Sequence, residues 1–332
     1  MAKCSAPLTT PLLAILACLL WSTAFVGVKI GLRYSEPLSF AGIRFMLSGL
    51  ILVPFWWKKR PSAGTVSSHF RGILSVSFFQ TTLLYGLFYA GMTRVSGALA
   101  AIIVGASPLI AALAAHFFMP DDEMTPAKGL SLCIGMAGVL IISISRNPWT
   151  ASAGPGEFLG ILLLVLSGVS SALGNIVVAR DRHHTDPVFL NSAQIFLGGV
   201  TLFLISLPLE GLPRLIQPPA YYGALLWLAL LSAVAFSLWF MLLKRPGVRV
   251  SELNLWKFII PVCGALLSWI ILPGESPRLV PVIGMICIAG AIVLFNLSAM
   301  FRNRELKEAA GKYEKPRPHK AVVAEKCTVK HL

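Results

Sequence analysis

Ten long apolar runs restrict the folds open to this chain. Each run holds about 20 residues, the length at which a helix crosses the hydrocarbon core of a bilayer. Backbone N–H and C=O groups in lipid must find partners within the segment, so such runs predict helices rather than irregular segments. The predicted spans are residues 10–30, 36–56, 70–91, 95–119, 127–146, 157–179, 187–208, 221–243, 249–272 and 278–300.

The composition agrees with a membrane protein. Of the 332 residues, 56% are hydrophobic and 13% are charged, whereas soluble domains carry about a quarter charged residues. A net charge of +14 would suggest a nucleic-acid partner for a soluble chain, but basic residues also gather in the cytoplasmic loops of membrane proteins. We therefore expect the lipid bilayer as a partner and no nucleic acid.

The basic residues also predict the orientation of the chain, because cytoplasmic loops are enriched in Lys and Arg. The loops after the second, fourth, sixth and eighth spans hold Lys58, Lys59, Arg60, Arg71, Lys128, Arg180, Arg182, Lys244, Arg245 and Arg249. The opposite loops hold fewer, namely Lys29, Arg33, Arg94, Arg146, Arg214 and Arg278. Both termini are therefore predicted on the cytoplasmic side.

A segment rich in Pro, Gly and Ser, residues 147–156 (NPWTASAGPG), is the predicted linker between two halves. The first repeat is predicted at 10–146 and the second at 157–300. They are flanked by a cytoplasmic segment at 1–9 and a basic cytoplasmic tail at 301–332, which we expect to be disordered because it is charged and has little hydrophobic periodicity.

The two halves align weakly. With Pro37 set against Pro187, the matched positions include Arg44 with Gln194 and Gly49 with Gly199. Five spans per half is an odd number, so the second copy must sit upside down relative to the first, with a cavity between the halves. The predicted fold is therefore an all-α integral membrane protein of ten transmembrane helices, arranged as two inverted five-helix repeats.

Two spans carry a proline within an apolar run. Pro261 lies in the ninth span and Pro108 lies 153 residues earlier, in the fourth. Interrupted helices at corresponding places in two halves point to the substrate site of a transporter, although small residues and prolines also simply allow helices to pack closely. We predict Pro108 and Pro261 as helix-break and gating positions.

The ninth span also carries a polar stripe. Ser251, Asn254, Lys257, Pro261, Gly264 and Ser268 recur at three- or four-residue steps, which places them on one face of a helix. The Lys257 stem could reach the cytoplasmic headgroups, or its ammonium could face a cavity. Both interpretations stay open, and Asn254, one turn away on the same stripe, favours the cavity.

Arg44 lies similarly deep in the second span. A guanidinium keeps its proton, so Arg44 must face protein, water or a partner. Glu36, about two turns earlier, is a candidate partner, and a structural ion pair and a substrate contact remain equal alternatives. Lys29, at the end of the first span, is interpreted as an interfacial residue.

The carboxylates all fall near span ends or in loops, so a charged cavity would be positive. This favours a substrate that is zwitterionic or carries a carboxylate, with its anionic end at Arg44 or Lys257. The predicted substrate-binding residues are Trp21, Arg44, Gln80, Tyr85, Tyr89, Asn175, Gln194, Trp239, Asn254 and Lys257. Buried amides are also common interhelical contacts, and Trp at a helix end is also a common interface anchor.

Neither the cysteines nor the histidines show metal-ligand spacing, and no nucleotide-binding motif is present. We therefore expect no metal, no cofactor and no direct use of ATP. The acidic turn Asp121-Asp122-Glu123 is interpreted as a helix-end feature rather than as an active site.

The motifs and their order resemble the EamA family of drug/metabolite transporters. The resemblance rests on WSTAFVGVK from Trp21 to Lys29, on Pro37 and Arg44, on Pro108 followed by the acidic turn, and on Pro261 followed by LPGE at 272–275. It covers residues from about 10 to 300. It implies inverted five-helix repeats and export of amino acids or other small metabolites across a bacterial cytoplasmic membrane. The residues Asn254 to Lys257 depart from the more apolar pattern usual in the family.

The leading interpretation is a secondary carrier for a small-molecule substrate, working by alternating access. The runner-up is a carrier or flippase for a nucleotide sugar or a lipid-linked substrate. A membrane-embedded enzyme is disfavoured because no cluster of catalytic side chains is evident. A homodimer is left open.

Overall fold

The structure is a computed structural model that describes residues 9–59, 61–95, 100, 103–144, 155–181, 185–214, 216–260, 262, 263, 266, 279, 280, 282–295 and 297. Within these ranges every regular element is a helix, which confirms the predicted all-α class. The predicted helix break at Pro261, the side chain of Lys29, residues 147–154 of the linker and the 301–332 tail lie outside the described residues.

The described helices follow the predicted spans closely. They are α1 (Thr9–Gly31), α2 (Pro37–Trp56), α3 (Ala63–Ser77), a π-helical segment (Phe78–Leu83), α4 (Leu84–Met92), α5 (Ser107–Phe118), α6 (Pro126–Ile144), α7 (Pro155–Arg180), α8 (Pro187–Glu210), α9 (Pro219–Leu243), α10 (Val250–Leu255), a 3₁₀ turn (Trp256–Phe258) and α11 (Val282–Phe295). Among the described residues, six helices are long and apolar enough to cross a membrane, counting α3 to α4 as one.

Prolines set the starts of many of these helices. The helices α2, α6, α7, α8 and α9 each begin at a proline, whose fixed φ suits the first helical turn and whose missing N–H costs nothing there. In α8 the preceding residue adds a cap: Asp186 accepts hydrogen bonds from the N–H groups of Val188 and Phe189, at 2.9 and 3.0 Å. The spacing of prolines along the chain therefore marks the membrane entry points.

The third span differs from its prediction as one regular helix. Its middle is the π-helical segment Phe78–Leu83, which holds one more residue per turn and frees a backbone carbonyl from the usual ladder. The hydroxyl of Ser170 on α7 donates to the carbonyl of Phe79 at 2.7 Å. A side chain from the second repeat thus hydrogen-bonds to the irregular backbone of the first.

The contact between α2 and α8 is built on glycines. A methyl group added at Gly199 would lie 2.6 Å from the backbone nitrogen of Met46, and one at Gly49 would lie 2.6 Å from the Cβ of Phe196. The hydroxyl of Ser192 also donates to the carbonyl of Gly49 at 2.8 Å. The aligned glycines of the two halves therefore let the two backbones approach closely.

The two halves pack against each other through the reciprocal helix contacts that a two-fold axis requires. The first span, α1, packs against the eighth, α9, and the sixth, α7, packs against the third, formed by α3, the π-helical segment and α4. The second and seventh spans, α2 and α8, pack against each other. This pattern is what two related five-helix repeats produce.

Two carboxylates link the repeats at helix ends. Glu210, the last residue of α8, accepts hydrogen bonds from the N–H groups of Leu38 and Ser39 at the start of α2, both at 2.8 Å. Asp122 accepts the N–H of Ser251 at the start of α10, at 2.8 Å, and also its hydroxyl proton. Each repeat therefore caps the beginning of a helix in the other.

Asp122 also changes the interpretation of Lys128, which the sequence placed among the exposed loop charges. The Lys128 ammonium is 2.6 Å from the carboxylate of Asp122, and both side chains are 2% exposed. The acidic turn is thus a helix-end feature, as predicted, and Lys128 is its buried partner.

Candidate functional site

Four polar side chains meet between the repeats, around Asn175 of α7. Its Oδ1 accepts the Nε2–H of Gln80 at 2.8 Å and the Nε1–H of Trp239 at 3.2 Å. Its Nδ2 donates to Oδ1 of Asn254 at 3.2 Å. We call Gln80, Asn175, Trp239 and Asn254 the amide cluster. The structure brings these four predicted site residues together from the third, sixth, eighth and ninth spans.

Lys257 lies beside the amide cluster. Its ammonium is 4.8 Å from the centre of the Trp239 ring and 5.7 Å from that of Trp21, and the two rings contact each other at 5.0 Å between centroids. The Lys257 side chain is half-buried and lies against these two indole rings, while the interpretation that its ammonium faces a cavity stays a prediction. A cation over ring faces is stabilised by about 0.5–2 kcal/mol.

The helix changes form at Lys257. The α-helical hydrogen bonding of α10 ends at Leu255, and the chain continues as the 3₁₀ turn Trp256–Phe258. A proline at position 261 has no N–H to donate to the carbonyl of residue 257, four positions earlier. The 3₁₀ turn therefore includes the charged residue itself.

Arg44 occupies a second aromatic environment. It is 4% exposed, and its guanidinium lies 4.1 Å from the ring centre of Phe45 and 5.5 Å from that of Tyr85. Its Nε is buried without a hydrogen-bond partner. The suggested ion pair with Glu36 is wrong, since that carboxylate is not within 4.0 Å of Arg44 in the described structure. Glu36 is the cap residue that immediately precedes α2, whereas Arg44 lies within that helix.

Tyr89 completes this environment with a ring centroid 6.4 Å from that of Tyr85. Tyr89 is buried, whereas Tyr85 and Trp21 are half-buried. The predicted site residues thus divide into an Arg44–tyrosine group on α2 and α4 and a Lys257 group around the amide cluster. Gln80, on the same span as both tyrosines, belongs to the second group.

Gln194 belongs to a separate polar network. Its Oε1 accepts the hydroxyl proton of Thr81 at 2.8 Å, and its Nε2 donates to Asn191 at 3.1 Å. Asn191 in turn donates to the hydroxyl of Ser237 at 2.9 Å. All of these groups pair with one another, which fits an interhelical contact better than a free binding surface.

The sequence analysis missed Thr81 and Asn191. Adjacent residues on a regular helix point about 100° apart, and Gln80 and Thr81 reach different helices, α7 and α8. Asn191 lies three residues before Gln194 on α8, a spacing at which two side chains share a face. The three-residue spacing between Asn191 and Gln194 was therefore the feature of the sequence from which Asn191 could have been predicted.

Pro108 lies where the fourth span is interrupted. Residues 103–105 are helical, Ala106 forms a turn, and α5 begins at Ser107, so Pro108 occupies its first helical turn. The side chain is buried. The interruption matches the predicted helix break, while a gating role stays a prediction.

A cavity of about 140 Å³ lies at the end of the molecule where α7 ends. Ser68 and Val76 of the third span and Val177 and Asp181 of the sixth are among its lining residues. Val76 is one turn before Gln80, and Val177 is two residues after Asn175. The cavity therefore lies between the third and sixth spans, and no residue of the amide cluster lines it.

An ion pair borders this cavity. The ammonium of Lys244, which follows α9, lies 2.8 Å from Asp181 and donates to the carbonyl of Thr185 at 2.6 Å. Burial lowers the pKa of Lys244, and its hydrogen bond and charge interaction with Asp181 oppose that shift only in part. Lys244, which the sequence placed among exposed loop charges, is thus a buried residue that joins the ends of the sixth and eighth spans.

These features define a class of protein. An all-helical, two-repeat membrane bundle that encloses a polar cluster, a buried arginine and a half-buried lysine is the architecture of a carrier. A model of the EamA-like transporter family matches residues 8–144 and 158–297. The chain therefore belongs to the EamA-like transporter family, as the sequence motifs indicated.

Individual relatives are also transporters. The chain is 27% identical to the transporter YvbV of Bacillus subtilis over 86% of this chain and 91% of that protein. It is 25% identical to the inner membrane transporter YedA of Escherichia coli, over 84% and 88% of the two chains. A solved crystal structure shares the fold, with a TM-score of 0.73 at 18% identity, covering 88% of this chain and 99% of that one. The protein is a multi-pass membrane transporter.

Proposed function

We propose that this protein is a secondary carrier that exports a small metabolite bearing a carboxylate, such as an amino acid or another zwitterionic solute. The observation that carries the proposal is a charge imbalance. Arg44 and Lys257 lie inside the bundle against aromatic rings, and no carboxylate of the described residues is within 4.0 Å of either.

An unpaired buried cation is expensive. Removing an ammonium or guanidinium from water costs several kcal/mol even after the protein relaxes, and contact with a ring face returns only about 0.5–2 kcal/mol. The unpartnered Nε of Arg44 adds an unmet hydrogen bond. An anionic group supplied by the substrate would compensate the buried charge and accept the unmet hydrogen bond. The site therefore favours a solute that bears a carboxylate over a cationic solute.

The amide cluster suits the remainder of a small polar solute. Its carbonyl oxygens can accept from an ammonium or hydroxyl, and its N–H groups can donate. The Trp21 and Trp239 faces supply apolar contact beside the cation. In this structure the amides pair with each other, so a solute would enter by replacing those hydrogen bonds one for one.

Transport follows from the repeat architecture. The amide cluster draws Gln80 from the first repeat and Asn175, Trp239 and Asn254 from the second. Rocking one repeat against the other would expose that cluster to each side in turn. We place both termini in the cytoplasm of a bacterial cell, on the basis of the Lys and Arg distribution, so the cavity beside Val76 and Val177 would face the cytoplasm.

The proposal is tested by efflux from cells that overexpress the protein. Amino acids and organic acids, together with nucleotide sugars as the competing class, are measured in the medium for wild type, Arg44→Ala and Lys257→Ala. We expect carboxylate-bearing solutes to leave wild-type cells and both variants to lose that efflux. The matched control is Lys58→Ala, which removes an exposed cation and should leave efflux unchanged. Unchanged efflux in both site variants would contradict the proposal, as would export confined to nucleotide sugars.

A further inference from the structure

The two cations of the site differ in their chemistry. A guanidinium keeps its proton under all conditions that a protein meets, whereas an ammonium can release one. We infer that Lys257 is the proton carrier of the transport cycle: it is an ammonium while the substrate carboxylate is bound and a neutral amine when the empty carrier returns. This inference rests on the proposed function and assigns the residue that carries a proton together with the exported substrate.

The surroundings of Lys257 support a change of charge. The ammonium faces two indole rings, and the described structure gives it neither a hydrogen bond nor an ion pair. Ring faces stabilise the charged form by much less than water does. The charged form is therefore favourable when a carboxylate is present and unfavourable when the site is empty.

Among the residues that the structure describes, the elements packed around Lys257 supply no substitute anion. On α1 the facing titratable group is the thiol of Cys18, which is buried and interacts electrostatically with Lys257. The titratable and charged groups of the other neighbouring elements have their own partners: His116 of α5 accepts from the N–H of Met124, Glu252 of α10 pairs with Arg249, and Asp181 after α7 pairs with Lys244 after α9.

The proton balance of the cycle is simple. After the substrate leaves, the ammonium of Lys257 gives its proton to water on the side to which the site is open and becomes an amine. The amine takes a proton from water on the other side when the next substrate binds there. One proton thus travels with each substrate, so transport of a monoanion moves no net charge and transport of a neutral zwitterion moves one positive charge.

Arg44 cannot take this role and serves as a fixed positive charge. Its guanidinium stays charged whichever side the site faces. The two residues therefore predict different effects when the kind of cation is changed. Lys257→Arg keeps the positive charge at position 257 and removes the ability to lose it. Arg44→Lys keeps a positive charge at position 44 but replaces the guanidinium with an ammonium.

A substrate-free experiment tests whether Lys257 titrates. The purified full-length protein is reconstituted into liposomes, and its tryptophan fluorescence is followed as the pH rises from about 6 to about 10. Because the ammonium sits over the rings of Trp21 and Trp239, loss of its proton should change their emission. We expect a titration step that is present in wild type and Lys58→Arg and absent in Lys257→Arg and Lys257→Met. The same step in the Lys257 variants would overturn the inference.

A flux experiment tests whether this proton is coupled to transport. Using the solute that wild-type cells export most strongly, Lys257→Arg should still catalyse exchange of labelled for unlabelled solute, because the loaded site can change sides. It should lose net efflux about tenfold or more, because the empty site would then carry a second permanent positive charge beside that of Arg44 and would return slowly. Net efflux equal to wild type would overturn the inference. If wild type moves no solute of the panel, the proposed function fails, and a fluorescence step that depends on Lys257 would still show that this residue can change its charge.

Discussion

The Nε2–H of Gln80 donates a 2.8 Å hydrogen bond to Oδ1 of Asn175, and this bond joins the third span to the sixth across the boundary between the repeats. The same oxygen accepts the indole N–H of Trp239, whose ring lies against the ammonium of Lys257. One amide oxygen therefore fixes the positions of Gln80 from the first repeat and of Trp239 from the second, whose ring faces Lys257.

Asn175→Ala should reduce both stability and transport. The change leaves buried donors on Gln80 and Trp239 without an acceptor, which costs about 1–3 kcal/mol for each group that stays buried and unpaired. We expect a lower free energy of unfolding in detergent and a loss of efflux of the carboxylate-bearing solute.

The matched control for Asn175→Ala is Gln194→Ala. Gln194 is also fully buried and also joins helices from both repeats, but it lies in the separate network with Thr81 and Asn191. We expect Gln194→Ala to lower stability by a similar amount and to leave the efflux per folded molecule near that of wild type. Equal loss of efflux in both variants would show that the amide cluster has no special role.

Gly199→Ala should destabilise the bundle. The added methyl group would lie 2.6 Å from the backbone nitrogen of Met46, so α2 and α8 would have to separate, at a cost of about 1–3 kcal/mol. Unfolding in denaturant, followed by circular dichroism, measures the change. Gly223→Ala on α9 is the control, because no atom lies within 4 Å of its added methyl group and alanine favours a helix over glycine. A Gly199→Ala protein as stable as Gly223→Ala would contradict the described contact.

Glu210→Gln and Glu36→Gln should have unequal effects. Glu210 accepts from the N–H groups of Leu38 and Ser39, so loss of its charge weakens the cap of α2 by about 0.5–2 kcal/mol. Glu36 precedes the same helix and makes no side-chain cap hydrogen bond, so its variant should unfold at the wild-type temperature. Equal melting temperatures for the two variants would count against the capping role of Glu210.

Lys244 should make stability depend on pH above neutrality. Burial lowers its pKa in the folded protein below the ordinary value of 10.5, so the unfolded chain binds more protons between these two values. The free energy of unfolding therefore rises with pH through that window and falls as the pH drops through the folded-state pKa.

The measurement is a series of denaturant unfolding curves between about pH 7 and pH 10.5. Lys244→Met should lose part of the rise with pH, whereas Lys58→Met, which removes an exposed lysine, should keep it. Identical slopes in wild type and Lys244→Met would refute the assignment.

The sequence was most informative about features that depend on neighbouring residues. Apolar run length predicted the spans, and the prolines at positions 37 and 187 marked helix starts within one residue. Aligning the halves on these prolines also paired Gly49 with Gly199, and these two glycines lie at the same interface between α2 and α8. Local composition and the repeat were sufficient for this much.

Contacts between distant residues were predicted less well. Glu36 is close to Arg44 in sequence and was proposed as its partner, yet the cap of α2 comes from Glu210, more than 170 residues away along the chain. Lys128 was treated as an exposed charge because nothing nearby in the sequence shows that the acidic turn folds back onto it. Charge pairing depends on three-dimensional packing, which local patterns do not encode.

The amide residues were recognised by type, but their grouping was not predicted. Gln80, Asn175 and Asn254 are each unusual in an apolar span, which made them candidates. Gln194 falls in another network because it bonds to Thr81, which points to a different helix from its neighbour Gln80. The run FFQTTL has no residue pattern that distinguishes a π-helical segment from a regular helix.

The π-helical segment also sets the rotational phase of the third span. Its widened turn places the tyrosines of α4, after the segment, about 100° away from the direction that an unbroken helix would give them relative to α3. Regular α-helical winding of the same residues would turn Tyr85 and Tyr89 away from Arg44. Removing one residue between positions 78 and 83 would restore regular winding and leave the two tyrosines on the side of Arg44, because a π-helical turn holds one more residue than an α-helical turn. The direction of the tyrosines is thus fixed jointly by the number of residues in this segment and by its winding.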